Sequence, residues 1–460
     1  MMLRVVCGCG GGAGRRTGWR APVLGVVLLI AVGGAAPARA QTLPEKTLAE
    51  CIAIALEHHP TLKAAGASIA AAHQRVWQSA APYLPQVDAV YLARRQQTSI
   101  GAASGAGNVS PTPGVVIDQV RINNFYSTGV SFSQLLFDFG QTLASIRSAR
   151  ASERSAEADR TTTRDTVILN VQQSYFNVLA TRRLLRVADE TVRQTSKQLE
   201  QAQGRHAVGV APRFDVTTAE VNLANAKLNQ VSARNNHAVA RETLRNALGI
   251  NGQLDFDLVD NLAADRVRLG EDEALAIAYR ERPDLISLIE QENAQQEQVA
   301  SLERQYYPTL SSGGSYDWEG SEYPLQNTWM IGASVNLSIL NGGLLRAQVA
   351  EAKANLQVLE FNEEALRQNI ALQVRQAALN VQQADESIGV AEKGAQQARE
   401  SLALAEGRYS TGVGNIIELT NAQVALTSAE ASYVQALYGY QTSVASLANA
   451  IGKPVALERE

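Results

Sequence analysis

The sequence predicts a mixed fold of transmembrane β-strands and long α-helices, stated twice in one chain by tandem duplication. Three observations carry this reading. First, GRHAVGV (204–210) returns as GRYSTGV (407–413), a shift of 203 residues (407 − 204). At the same shift Asn177, Val178, Ala247, Gly249, Gly129 and Gly140 meet Asn380, Val381, Ala450, Gly452, Gly332 and Gly343. Second, four segments alternate with the period of two that marks a half-buried strand. Third, residues 141–203 and 344–406 contain no proline and almost no glycine. With only two copies and a period near half the chain, a short-repeat solenoid does not fit.

The first 40 residues read as a signal peptide. Arg4, Arg15, Arg16 and Arg20 precede the apolar run APVLGVVLLIAVGGAA (21–36), and ARA before Gln41 is a small-residue cleavage site. Arg15-Arg16 lacks the flanking pattern of twin-arginine export. Cys7 and Cys9 leave with this segment, and no cysteine stands at the cleavage point to take a lipid. Cys51 is then the one cysteine of the exported chain, so no internal disulfide forms. Cys51 reads as a small packed residue, since the second copy has Ala274 in its place. Residues 1–40 hold five Arg and no acid, so the exported chain carries (41 − 5) − 45 = −9. That balance argues against a nucleic-acid partner. After residue 40 no apolar run is long enough for a membrane helix, so any membrane insertion uses strands.

Residues 41–250 form the first repeat, 251–270 a linker or equatorial segment, and 271–460 the second repeat. Near the start of each repeat AIALEHHPTL (53–62) resembles AIAYRERPDL (276–285), and Tyr83-Leu84-Pro85 resembles Tyr306-Tyr307-Pro308. There the shift is 223 (308 − 85), so the first copy carries 20 extra residues (223 − 203) between Pro85 and Gly129. They fall within 96–119, a Gly-, Ser-, Ala- and Pro-rich stretch that reads as a flexible loop.

The strand segments are about 86–95, 126–133, 309–318 and 329–339. Tyr126, Thr128, Val130 and Phe132 share a face opposite Ser127, Gly129, Ser131 and Ser133. Trp329, Ile331, Ala333, Val335, Leu337 and Ile339 do the same opposite Met330, Gly332, Ser334, Asn336 and Ser338. Tyr83, Phe137, Phe139, Tyr306 and Tyr307 gather at one end of the hairpins. Phe125, Tyr126, Trp318 and Trp329 gather toward the other. Two aromatic levels suit the headgroup zones that flank a membrane barrel. An ordinary sandwich sheet is the alternative.

Helical patterns cover about 47–81, 141–203, 215–248, 271–304, 344–406 and 418–450. The long ones carry a narrow stripe such as Val167, Val171, Val178 and Leu185, which suits coiled-coil-like pairing over a thick globular core. The order is short helix, hairpin, long helix, turn, short helix, stated twice. The repeated glycine stretch is the turn: Gly209 and Gly412 permit the positive φ that closes a helix end. The helix after the second turn starts at Asn415, with Glu418 three residues on as a capping box. Four strands do not close a barrel, since outer-membrane barrels begin near eight. Open edges in lipid cost several kcal/mol per unpaired group, so the chain must oligomerise. A homotrimer supplies twelve strands.

The duplicated plan, LFDFGQ (136–141) with its counterpart ILNGGL (339–344), and the R-x-x-x-G tips resemble the TolC-type outer-membrane efflux proteins over essentially the whole exported chain. The resemblance implies a homotrimeric 12-stranded outer-membrane β-barrel continued by a long periplasmic α-helical barrel. It implies an outer-membrane channel of a tripartite efflux or type I secretion system, a passive exit duct for drugs, ions or proteins. The partners implied are a periplasmic adaptor (membrane fusion) protein, an inner-membrane transporter and outer-membrane lipid. By position, Arg205, Val208, Gly209, Val210, Arg408, Gly412 and Val413 would meet the adaptor, and Asp215, Tyr409 and Glu418 would close the periplasmic entrance. Two positions depart from the family: Gly414 stands where a basic residue is frequent, and Asn421 where a second acid is.

Simpler roles stand beside these. Arg205 and Arg408 also fit as cations at helix C-termini, and Glu418 as a cap alone. His58-His59 does not make a metal pair, because adjacent helical residues do not face each other. No zinc spacing, nucleophile elbow or phosphate loop appears, so no cofactor, metal or enzyme activity is expected. The rival reading, a structural or adhesive coiled-coil protein of the envelope, explains the helices and export but not the aromatic-bounded hairpins or the paired tips.

Overall fold

Two prolines show how local sequence sets the elements. The computed structural model describes residues 44–100, 119–252, 254–260 and 270–453. The expected signal peptide, most of the 96–119 insertion and half of the 251–270 linker lie outside them. After a two-residue strand β1 (Glu45–Lys46), a helix α1 (Leu48–His58) is followed by α2 (Pro60–Ala80). The single helix expected over 47–81 is broken because His59, forced out of the α region by Pro60, is extended (φ −63°, ψ 124°). The equivalent Arg282 (φ −66°, ψ 121°) precedes Pro283 in the second repeat. Each proline then sits at a helix start, where its missing N–H costs nothing.

The chain continues as β2 (Gln86–Ile100), β3 (Gln119–Phe137), the 67-residue α3 (Gln141–Ala207) and α4 (Arg213–Leu248). A short β4 (Asp257–Leu258) pairs in parallel with β1. The series then repeats: α5 (Glu271–Glu281), α6 (Pro283–Arg304), β5 (Thr309–Gly320), β6 (Gln326–Asn336), the 67-residue α7 (Leu344–Ser410) and α8 (Ile416–Ile451). At 1.5 Å per residue α3 and α7 each extend about 100 Å. The strands outrun the expected segments in three of four cases. The exception, β6, stops at Asn336, leaving Leu337 and Ile339 beyond it.

The four long strands form one antiparallel sheet in the order β2-β3-β5-β6. Its registers bear the duplication: Tyr91 pairs with Thr128 in the first hairpin, and their counterparts Gly314 and Ile331 pair in the second. The hairpins join through β3 and β5, where Val130 faces Tyr316, with a bulge between Leu135 and Phe137. Following these pairs across the sheet gives two unlike faces. One carries Val87, Tyr91, Val130, Phe132, Tyr316, Trp329, Ile331 and Val335; the other carries Ser131, Ser133, Ser311, Ser315, Asp317 and Ser334. Trp329, Ile331 and Val335 are each about 70 % exposed, far more than lone surface apolar residues require.

Below the sheet Asp138 organises the turn into α3. Its carboxylate accepts from the Gly140 and Thr142 backbone N–H groups (3.0 and 2.7 Å) and from the Tyr83 hydroxyl (3.1 Å). The turn places Phe139 at φ 52°, a left-handed conformation that the second repeat assigns to Gly342 (φ 64°). Two of the cores that hold the helices are built from equivalent positions. Cys51, Ala55, Val167, Val171, Val178, Leu244 and Leu248 pack in the first repeat; Ala274, Ala278, Ile370, Val374, Val381, Leu447 and Ile451 pack in the second. The first is enlarged by Tyr175, whose hydroxyl donates to the Val259 carbonyl (2.8 Å), tying α3 to the β1–β4 segment. Burial pushes the Cys51 thiol up to about 11, which leaves it unreactive. α6 lies between α3 and α7, whereas its counterpart α2 packs on α3 and has no second long helix beside it.

One contact in this layer is unfavourable. The Oε1 of Glu292 on α6 is buried without a partner, and the side chain faces Glu363 and Glu360 on α7, with Arg367 nearby. Burial first, then the two like charges, raises its pKa above the ordinary carboxylate value. The folded state therefore binds this proton more readily than the unfolded state, and stability at this site grows as pH falls. Glu292→Gln is expected to raise the unfolding midpoint by about 1–2 °C at pH 7–8. The gain should shrink in acid, where the wild-type carboxyl is already neutral; thermal scans across pH measure both.

Candidate functional site at the paired hairpin tips

The glycine stretches close the turns between α3 and α4 and between α7 and α8, and they do so in the same way. Val210 N–H donates to the Arg205 carbonyl (2.9 Å), as Val413 does to Arg408 (3.0 Å). Gly209 N–H donates to His206 (2.9 Å), as Gly412 does to Tyr409 (3.2 Å). Gly209 has φ 78° and Gly412 φ 81°, so both glycines meet a backbone requirement that a side chain resists. Val208, Val210 and Val413 project from these turns, each at least 66 % exposed. Both long helices run about one turn past their expected ends, through Gly204 and Gly407, so the tips begin at Val208 and Thr411.

The tips differ in what surrounds them. Arg205 of the first tip crosses to the second, donates to the Tyr409 carbonyl and lies over the Tyr409 ring at 4.8 Å. It thus serves a helix C-terminus, as its charge suits, but that of α7 and not its own α3. The Tyr409 hydroxyl points at Asp215, 3.5 Å from its carboxylate. Burial first, and then the Asp215 charge, raises the Tyr409 pKa, so the phenol stays neutral and able to donate. Tyr409 is 3 % exposed and packs with Leu402, Ile416, Leu419 and Leu426. Arg408, the counterpart of Arg205, stays on its own tip with Nε 3.1 Å from Glu418.

This last contact corrects the expected capping box. Asn415 does cap α8, its side chain accepting from the Glu418 N–H at 2.8 Å. The Glu418 carboxylate, however, pairs with Arg408, because a full positive charge outcompetes a single backbone N–H. Above the tips, polar contacts continue between repeats: Asn222 to Thr420 (2.9 Å), Gln198 to Gln423 (3.5 Å) and Thr191 to Thr427 (3.2 Å). Sequence reading did not single these out, because polar residues on long helices look like solvated faces. It also passed over His206, which the 203-residue shift places on Tyr409.

A sequence model of the outer membrane efflux protein family matches residues 51–250 and 274–453, once over each repeat. The chain belongs to the outer membrane efflux protein family. Among relatives, the outer membrane protein TolC of Escherichia coli (strain K12) is 25 % identical over 413 residues, covering 86 % of this chain and 80 % of TolC. Protein CyaE of Bordetella pertussis is 27 % identical over 431 residues, covering 91 % of this chain and 86 % of its own. Among solved structures, the Campylobacter jejuni CmeC outer membrane channel superposes with a TM-score of 0.74 at 20 % identity, over 90 % of this chain and 87 % of that one. A CusC structure gives 0.76 at 19 %, over 90 % and 94 %. These superpositions establish the fold of this outer membrane efflux protein.

The tip geometry gives a local expectation. Gly412→Val forces a β-branched residue into the left-handed region and pushes on the Arg205 guanidinium, 3.4 Å from where a Cβ would stand. The strain, on the order of 1–2 kcal/mol, should be confined to the tip. Amide exchange should accelerate over 407–415 while protection in the β2-β3-β5-β6 sheet is unchanged.

Proposed function

We propose that this protein is the outer-membrane exit duct of a tripartite efflux or type I secretion system, working passively as a homotrimer. The observation that carries the reading is the sheet: four strands with one aromatic and aliphatic face, two unpaired outer edges, and helices about 100 Å long leaving one end. Three copies bring twelve strands into one closed barrel, and closure removes the edges that lipid does not tolerate. The helices then continue the duct through the periplasm, and the tips form its far end. The serine-rich sheet face lines the pore, and the apolar face meets lipid. The tripartite assignment is supported by the family and by relatives such as the Brucella suis outer membrane efflux protein BepC.

In this reading a periplasmic adaptor contacts Arg205, Val208, Gly209, Val210, Arg408, Gly412 and Val413, and supplies cargo from an inner-membrane transporter. Asp215, Tyr409 and Glu418 hold the entrance narrow at rest. The Tyr409–Asp215 contact and the Arg205 clamp join the two tips of one chain; opening requires them to part.

Cross-linking in detergent or native-like lipid should give a ladder ending at three copies; a well-behaved monomer or dimer would sink the proposal. Gly412→Val should reduce cross-linking to the adaptor while leaving trimer yield intact. For gating, Tyr409→Phe combined with Asp215→Ala should raise single-channel conductance in planar bilayers. Unchanged conductance removes the gating role and leaves the duct.

A further inference from the structure

The repeats also agree at a level that belongs neither to the turns nor to the cores. Gln173 and Gln376 are equivalent, as are Asn177 and Asn380, and Asn246 and Asn449. Asn170 keeps its carboxamide as Gln373. In the second repeat these groups line a groove between α3, α7 and α8 with a volume of about 470 Å³. Gln173, Gln376, Asn380 and Asn449 stand in its wall, together with hydroxyls of α8. A second hollow of about 500 Å³ runs on along the seam of α7 and α8, sharing Asn380 and Ser443. Charged residues make up 19 % of the chain, yet none of the residues lining either hollow is charged.

Most of these carboxamides are uncommitted. Gln373 gives its Oε1 to Arg282 Nη1 at 2.8 Å. The Thr442 and Ser446 hydroxyls donate to carbonyls of their own helix. Among the described residues, none hydrogen-bonds the side chains of Gln173, Gln376, Asn380 or Asn449.

The groove opens on the side away from α1 and α5. Gln173 is two residues from Val171, and Thr442 two from Tyr440, about 200° round each helix. Val171 packs with Cys51 and Ala55 of α1, and Tyr440 with Ala274 and Ala278 of α5. In the trimeric duct proposed above, that added layer stands on the convex outer side, and the groove opens into the lumen. There α7 of the next copy stands beside α4 as α7 stands beside α8, and the first-repeat carboxamides form an equivalent wall.

We propose that the groove is a lumenal subsite for neutral, polyhydroxylated cargo, such as a short glucan chain. Carboxamides and hydroxyls both donate and accept, as does each hydroxyl of such a ligand. A charged molecule would give up hydration there for no ion partner. A wholly apolar one would meet little beyond Leu169, the Tyr438 ring and alanines. The lumenal placement rests on the duct reading; the match of groove to ligand does not.

Maltohexaose, added to the wild-type protein in planar bilayers, should interrupt the single-channel current. Polyethylene glycol of matched size, whose ethers accept but do not donate, should interrupt it far less. Gln376→Ala with Asn380→Ala keeps α7 in a good helix former. It should shorten the maltohexaose interruptions by about two- to tenfold for each hydrogen bond lost. Asn449→Ala, on α8, is an independent variant with the same expectation, and cross-linked trimer yield checks that each assembles. Equal interruption by the two polymers, interruptions that survive these variants, or an uninterrupted current overturn the subsite and leave the duct. If no current is seen the duct reading fails, and calorimetric titration of the purified protein with maltohexaose decides the groove alone. Heat that falls in the variants supports it; no heat with the wild type, or equal heat in all, overturns it.

Discussion

An unpaired strand edge is the constraint on which the rest of the architecture depends. β2 and β6 end the sheet with backbone N–H and C=O groups facing outward, and β6 is exposed along its whole length. In water such an edge invites aggregation; in a bilayer it is intolerable. Further copies of the same sheet satisfy it if β6 of one copy pairs with β2 of the next as β3 pairs with β5. Internal duplication makes that join geometrically available, because the chain already contains one example of it. The helices obey the same logic. α6 fills the space between α3 and α7, and the equivalent space beside α2 is open in one chain.

The helices show how a long tube is held with little core. The largest buried side chains, Tyr175, Tyr440, Leu179, Leu244 and Leu285, concentrate near the level where α4 and α8 end and α5 begins. Toward the tips the buried positions of α3 turn to Ala188, Thr195, Gln198 and Ala202, and the contacts between repeats become polar. Small and polar interfaces have less apolar area to lose when helices separate, at roughly 25 cal/mol per Å². The largest side chains are therefore packed toward the end continuous with the sheet, and the two tips meet each other through a few directional contacts beside the smaller cluster of Leu402, Tyr409, Ile416 and Leu419.

Much of this was legible in the sequence because it is periodic. Alternation at 126–133 marked a strand, absence of proline over 141–203 and 344–406 marked long helices, and the repeated glycines marked the tips. Even the break before Pro60 was there to be read; a smooth helical stripe concealed it. The site was legible as a set of positions but not as a set of partners. Arg205 on α3, Asp215 on α4 and Tyr409 on α7 come together because the α3–α4 and α7–α8 hairpins pack through α3 and α8, and side-chain direction at the end of a 67-residue helix does not follow from spacing. The Arg408–Glu418 pair was hidden for a different reason: Glu418 satisfies a capping pattern in sequence, and only the fold brings a guanidinium within its reach.

Where the repeats diverge is as informative as where they agree. The cores change conservatively, Val167 to Ile370, Val171 to Val374, Leu248 to Ile451, because both must fill the same space. Arg205 and Gly209 are kept as Arg408 and Gly412, because the same turn is made twice. Yet Tyr409 has become His206 and Asp215 has become Glu418, two changes on the two sides of a single contact. The consequence is local: Tyr409 reaches across to Asp215 of the other tip, whereas His206 turns to the Ala211 carbonyl and Glu418 to Arg408, each within its own tip. A duplicated chain can thus make the same turn twice and still give each tip its own contacts.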